Sequence, residues 1–154
     1  MEGLLELGYL GLFLGAFLAA TVVPFSSDVL LVGILALGGS PVMTVVMASL
    51  GNWTGGLTTY WLGRLGKWEW IERWFKVTRE RLEAQKAKVD KWGSLLAFLT
   101  WLPVVGDLMA IALGFYKVHF GRTALFMAIG KSLRFIMWAL LYEAIWPVNS
   151  ALPL

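Results

Sequence analysis

Four charged side chains lie inside stretches of sequence that are otherwise apolar: Asp28, Asp107, Lys131 and Arg134. An ionisable group at membrane depth is costly, and it normally faces the protein interior or a wet cavity where it handles ions or substrate. Lys131 and Arg134 are three residues apart, so on a helix they share one face. Their charge can balance the two aspartates or receive an anionic substrate. The pattern therefore predicts substrate binding or proton coupling within a membrane.

The same residues also have a structural interpretation, in which permanent ion pairs hold short helices against the last long helix. Asn52 and Glu143 are supporting polar candidates in the apolar segments. An amide such as that of Asn52 can equally serve only as a hydrogen bond between helices. The sequence leaves the functional and the structural interpretation open.

Each aspartate ends a similar motif. "TVVPFSSD" ends at Asp28, and "TWLPVVGD" ends at Asp107, 79 residues further on. The same shift aligns further residues without a gap: Thr44 with Thr123, Gly51 with Gly130, and Asn52 with Lys131. Weak internal repeats with paired, proline-interrupted short segments are typical of transporter binding sites.

The proline in each motif predicts the tip of a re-entrant hairpin, at Pro24 and at Pro103. Ser26 and Ser27 can cap the half-helix that follows the first break. Gly106 can let the second tip approach a ligand closely, because glycine has no side chain. Half-helix N-termini present free N–H groups to which a phosphate binds well.

Composition indicates an integral membrane protein. The chain has 154 residues, of which 58% are hydrophobic and 15% charged, and its mean hydropathy is +0.71. Soluble domains are closer to half apolar and a quarter charged. The chain has no cysteine and one histidine, which excludes thiolate chemistry and a histidine-based zinc site. No phosphate-binding loop or nucleophile elbow is present, so the sequence predicts no enzyme, cofactor or metal.

Apolar segments divide the chain into one all-α membrane domain over residues 1–154, with repeat one at 4–63 and repeat two at 93–147. The segments 42–62 and 123–146 are long enough to span a bilayer as helices. Gly51 and Gly55 are four residues apart, and this spacing permits close helix packing within the chain or in a homodimer.

The linker 64–92 between the repeats differs in character. Residues 64–91 contain nine basic and five acidic residues. An apolar stripe at helical spacing predicts an amphipathic helix, broken near Thr78, on a membrane surface or packed against protein. The stripe consists of Trp68, Ile71, Phe75, Leu82, Val89 and Trp92. The mixed charges favour anionic lipid headgroups over nucleic acid.

Charge predicts the orientation. The linker, Lys117 and Arg122 contain eleven of the thirteen basic residues, so both regions are expected in the cytoplasm. The two hairpins then enter from opposite sides, as in an inverted repeat. The N-terminus, with Glu2 and Glu6, is expected outside; the alternative is a fully spanning first helix with the N-terminus inside.

Four blocks resemble the DedA family of membrane proteins, which contain a SNARE-associated or VTT domain, and in particular its YqaA-like branch. They are "FLAATVVPFSSDVLL", "ASLGNWTGGLTTYWLGR", "WLPVVGDLMAIALGF" and "IGKSLRFIMW". The resemblance implies two opposed re-entrant hairpins in a cell inner membrane protein. It also implies movement of lipids, including undecaprenyl phosphate, with proton coupling in some members. Where the family has functional arginines near the second hairpin, the matching cations here are Lys131 and Arg134.

The predicted function is therefore translocation of an anionic lipid, either a polyprenyl phosphate or a phospholipid, with membrane lipids as partners. Two alternatives stay open: a transporter of small ions or solutes that uses the same site, and a membrane scaffold that recruits a partner through residues 64–92.

Overall fold

The computed structural model describes residues 2–21, 26–102 and 105–147, and its ordered elements are all helical. The all-α prediction is confirmed. The predicted hairpin tips at Pro24 and Pro103 lie outside the described residues. The elements are α1 (Glu2–Ala19), α2 (Ser27–Ala36), α3 (Pro41–Leu65), α4 (Trp68–Phe75), α5 (Arg79–Glu83), α6 (Lys86–Trp92), a 3₁₀ helix (Gly93–Trp101), α7 (Val105–Phe115) and α8 (Phe120–Ile145).

Helix α2 runs back alongside α1 after the first break. The backbone N–H of Ser40, just after α2, donates to the hydroxyl of Tyr9 in α1 at 2.7 Å. Gly38, with φ +85°, makes the turn into α3 because a left-handed backbone suits glycine. Pro41 then begins α3, where a missing N–H costs nothing. Helices α1 and α2 thus lie side by side and are followed by the longer helix α3.

Helices α3 and α8 are both long enough to cross a bilayer, but they differ in composition. Among the described residues, α8 is the one helix that is both long enough and apolar enough to do so. Helix α3 has 25 residues, about 37 Å at 1.5 Å per residue. It lies between α1, α7 and α8, and its buried face consists of small and polar residues. That central position lowers the need for apolar side chains on α3.

Glycines set the spacing around α3. Gly51 and Gly55 press against the carbonyl oxygens of Phe13 and Phe17 in α1, and a Cβ at either glycine would overlap those oxygens. Small residues four apart permit such close approach of two helices. The Gly51–Gly55 face is therefore covered by the chain's own α1.

The linker folds as three short helices, α4 to α6; the predicted break near Thr78 is present, and a second break separates α5 from α6. The chain leaves helical structure around Thr78, which caps α5. Ile71, Leu82 and Val89 are buried in one cluster with residues of α7. The centre of the apolar stripe thus faces protein, whereas Trp92 is half exposed.

Large apolar side chains stay exposed on the outer faces of α1 and α8. A soluble monomer rarely exposes a contiguous apolar surface of this extent. Contact with lipid explains these faces. They comprise Leu4, Leu7, Leu10, Leu14 and Leu18 on α1, and Leu125, Ile129, Leu133, Ile136, Met137, Leu140 and Ile145 on α8.

Candidate functional site

Arg134 on α8 binds both halves of the chain. Its Nε donates to Asp28 Oδ1 at 3.0 Å, and its Nη2 forms an ion pair with Asp28 Oδ2. Its Nη1 donates to the carbonyl oxygen of Trp101 at 2.9 Å. The two side chains are only 13% and 18% exposed. A guanidinium suits this role because its planar fork binds a carboxylate at two points and still has a donor left.

Lys131 lies one helical turn before Arg134 and is buried. Its Nζ donates to Asn52 Oδ1 at 2.5 Å, and Asn52 Nδ2 donates to the carbonyl oxygen of Ala16 at 3.1 Å. A buried ammonium needs such partners, because desolvation penalises its charge. Asn52 therefore connects the cation on α8 to α1.

Gly56 makes room for Lys131, a role that sequence reasoning missed. A Cβ at Gly56 would lie 2.7 Å from Met127 Sδ and 2.9 Å from Lys131 Cε, so this glycine lets both side chains of α8 approach α3. The available signal was the second glycine of the pair 55–56, because the spacing of Gly51 and Gly55 already accounts for packing on α1.

Asp107 completes the group of charges from the second repeat. Its side chain is half-buried on α7, and it interacts electrostatically with Lys131 and Arg134. Among the described residues, none forms a hydrogen bond or close ion pair with it. The two aspartates therefore differ: Asp28 is tightly paired, whereas Asp107 lies near two cations without a direct contact.

Several positions related by the 79-residue shift have matching environments. Asn52 and Lys131, which the shift aligns, contact each other directly. Thr21 and Thr100 are both buried, and each hydroxyl donates to the carbonyl oxygen three residues earlier, at 3.0 Å and 2.6 Å. An internal repeat predicts such matches; re-entry of the hairpins from opposite sides stays a prediction.

The other candidate residues from the sequence are Ser26, Ser27, Gly106 and Glu143, and they differ in position and burial. Ser26 is the N-cap of α2 and accepts from the N–H of Asp28 at 3.3 Å. Ser27 is instead the first, buried residue of α2 and forms no cap. The space beside Gly106 is filled by the Thr100 carbonyl, so this glycine serves chain packing rather than close approach of a ligand. Glu143 is exposed, nine residues beyond Arg134.

We expect Asn52→Ala to destabilise the protein by about 1–3 kcal/mol, because it removes the acceptor of the buried Lys131 ammonium and one of the two donors to the Ala16 carbonyl. Thermal unfolding in detergent measures the effect. Thr58→Ala on the same helix is the matched control, since its exposed hydroxyl bonds only within α3. Equal stability of the two variants would contradict a structural role for the Asn52 bridge.

The chain is similar in sequence to several known proteins. The Escherichia coli (strain K12) inner membrane protein YqaA is 35% identical over 131 residues, which cover 84% of this chain and 87% of that protein. A Haemophilus influenzae protein is 34% identical over 133 residues, or 81% of each chain. The Bacillus subtilis membrane protein YkoX is 31% identical over 127 residues, which cover 77% of this chain and 56% of that one. No solved structure matches the chain.

The family comparison covers most of the chain, from just before α2 to the last turn of α8. The model of the VTT domain matches residues 23–144, a range that contains Asp28, Asp107, Lys131 and Arg134. The match therefore extends over most of the chain and all four charged candidates. The chain belongs to the VTT-domain family, also called the DedA family, and is an inner membrane protein.

Proposed function

We propose that this protein translocates an anionic lipid, a polyprenyl phosphate or a phospholipid, across the inner membrane. The observation that carries the proposal is the position of Lys131 and Arg134. They lie on one face of α8, and they interact with aspartates from both repeats, Asp28 and Asp107. A membrane protein retains such costly buried charges where substrate or ions pass.

The ion pair between Arg134 and Asp28 gives the lipid phosphate a place to bind. A phosphate oxygen can replace the Asp28 carboxylate on Arg134, since guanidinium binds both groups in the same two-point geometry. Lys131, one turn away, adds a second positive charge. Release of the phosphate lets Asp28 pair with Arg134 again, so the cation is never left buried without a partner.

Asp107 is the candidate for proton coupling. Its carboxylate lies near both cations but accepts no hydrogen bond from the described residues. When a phosphate brings negative charge to Lys131 and Arg134, a proton on Asp107 removes the repulsion between the two anions. Loss of that proton after the phosphate leaves restores the balance of charge.

Orientation follows from the positive-inside rule. In the proposal, the linker helices α4 to α6 and the loop between α7 and α8 lie in the cytoplasm. The α1–α2 hairpin and the hairpin of the 3₁₀ helix and α7 then enter from opposite sides, and both reach the charged group on α8.

Reconstituted liposomes test the proposed function. We expect the protein to move fluorescent phosphatidylglycerol or a short polyprenyl phosphate between leaflets, faster with a proton gradient than without one. We expect Asp107→Asn to slow this movement by at least about tenfold, a change of about 1.4 kcal/mol in the barrier. Glu143→Gln is the matched control, because Glu143 is an exposed acid on α8. No movement of any anionic lipid by wild-type protein, or solute flux in its place, would overturn the proposal.

A further inference from the structure

An apolar groove of about 390 Å³ lies between α1 and α2. Its volume is within the range of pockets that bind small organic ligands, roughly 300–1,000 Å³. Nearly all of its surface is apolar, and it is lined by Gly8, Gly11, Leu12, Val29, Leu30, Gly33, Ile34 and Leu37. A groove of this chemistry takes a hydrocarbon chain rather than a polar solute.

The groove is open because two of its lining residues, Gly11 and Gly33, have no side chain and no other group fills the space. A Cβ added to Gly11 or Gly33 would meet nothing within 4 Å. These two glycines therefore differ from Gly51 and Gly55, whose missing side chains are replaced by the backbone of α1. Helix packing does not explain the open space.

The surroundings of the groove identify its occupant. Val29 and Leu37, two of its lining residues, are more than two-thirds exposed on the outer surface of the protein. The groove is thus continuous with a surface that contacts lipid. At one end, Val29 directly follows Asp28, whose carboxylate binds Arg134. A lipid whose phosphate is at Arg134 has one chain beside this end of the groove.

We propose that the groove between α1 and α2 binds one hydrocarbon chain of the anionic lipid while its phosphate is at the Asp28–Arg134 pair. This inference rests on the proposed function and specifies where the lipid tail lies. The first hairpin then contributes both Asp28 for the headgroup exchange and the apolar track for the tail.

A photoactivatable phosphatidylglycerol with a diazirine in one acyl chain tests the groove. We expect cross-links on wild-type protein to concentrate at residues 8–12 and 29–37. A Cβ at Gly33 meets nothing within 4 Å, so Gly33→Phe adds a ring at the groove. We expect it to reduce these cross-links and lipid translocation by roughly tenfold, equivalent to about 1.4 kcal/mol. Gly3→Phe is the matched control, since Gly3, in α1, likewise has open space around it but does not line the groove.

The outcomes separate this inference from the proposed function. Groove cross-links in wild-type protein that moves no lipid would overturn the proposed function and leave the groove as a lipid site. Normal translocation by Gly33→Phe would overturn the groove inference and leave the function standing. Cross-links spread evenly over α1 and α8, or links from the groove to a second protein copy, would also overturn the groove inference.

Discussion

Replacing Arg134 by alanine is expected to abolish lipid translocation and to destabilise the protein by about 3–5 kcal/mol. The substitution leaves the half-buried Asp28 carboxylate without its cation and removes the donor to the Trp101 carbonyl. The lost bonds join α8 to α2 at Asp28 and to the 3₁₀ helix at Trp101. Translocation in liposomes and thermal unfolding in detergent measure the two effects.

Two further variants show whether the loss of translocation and stability comes from the missing charge, the missing two-point geometry or the unpaired Asp28 carboxylate. Arg134→Lys retains the charge but cannot bind Asp28 at two points while it also donates to Trp101, so we expect intermediate stability and weak translocation. The double variant Asp28→Ala/Arg134→Ala removes both charges and should be more stable than Arg134→Ala alone, because no buried carboxylate is left unpaired. Recovery of translocation in the double variant would show that the pair is purely structural.

Gly114→Ala is expected to cause the second large effect, a destabilisation of about 1–3 kcal/mol or more, typical of overpacking. A Cβ at Gly114 in α7 would overlap the carbonyl oxygen of Tyr60 and lie 2.9 Å from the backbone nitrogen of Arg64. Both neighbours are backbone of α3, so no side chain can turn away. The helices must separate, and the charged group between α3, α7 and α8 loses its geometry.

Gly11→Ala is the matched control for this prediction. Gly11 is also inside a helix, but a Cβ there meets nothing within 4 Å. Alanine in a helix is more favourable than glycine by about 1 kcal/mol, so we expect equal or higher stability. A melting temperature for Gly114→Ala at or above that of Gly11→Ala would contradict the close packing of α7 on α3.

The sequence predicted those features of the fold that depend only on neighbouring residues, such as helix positions and breaks. The two long apolar segments, 42–62 and 123–146, predicted α3 and α8 to within three residues at each end, and the break near Thr78 was predicted as well. The linker shows the limit of such reasoning. Its stripe predicts which side chains need an apolar neighbour, but it does not distinguish lipid from protein. The packing of Ile71, Leu82 and Val89 with α7 decided that question.

In the candidate site, too, the sequence identified the charged residues, whereas only the structure showed their contacts. An ionisable residue in an apolar segment is recognisable without a structure, because its burial must be compensated; Asp28, Asp107, Lys131 and Arg134 were found in this way. The sequence also suggested that the two cations pair with the two aspartates, but not which cation binds which aspartate, nor that Lys131 binds Asn52. Each contact depends on the angle and distance at which two helices cross.

By itself, then, the sequence determined that this is an all-α membrane protein, with a repeated Pro–Asp motif and four charges that need partners. Only the tertiary structure decided the pairing: Arg134 with Asp28 across 106 residues, and Lys131 with Asn52 across 79. It also decided that Gly56 makes room for Lys131 and that Gly11 and Gly33 leave a groove open. The physical reason is that helix formation and the cost of burial are local properties, whereas the partner of a buried charge depends on how distant segments pack.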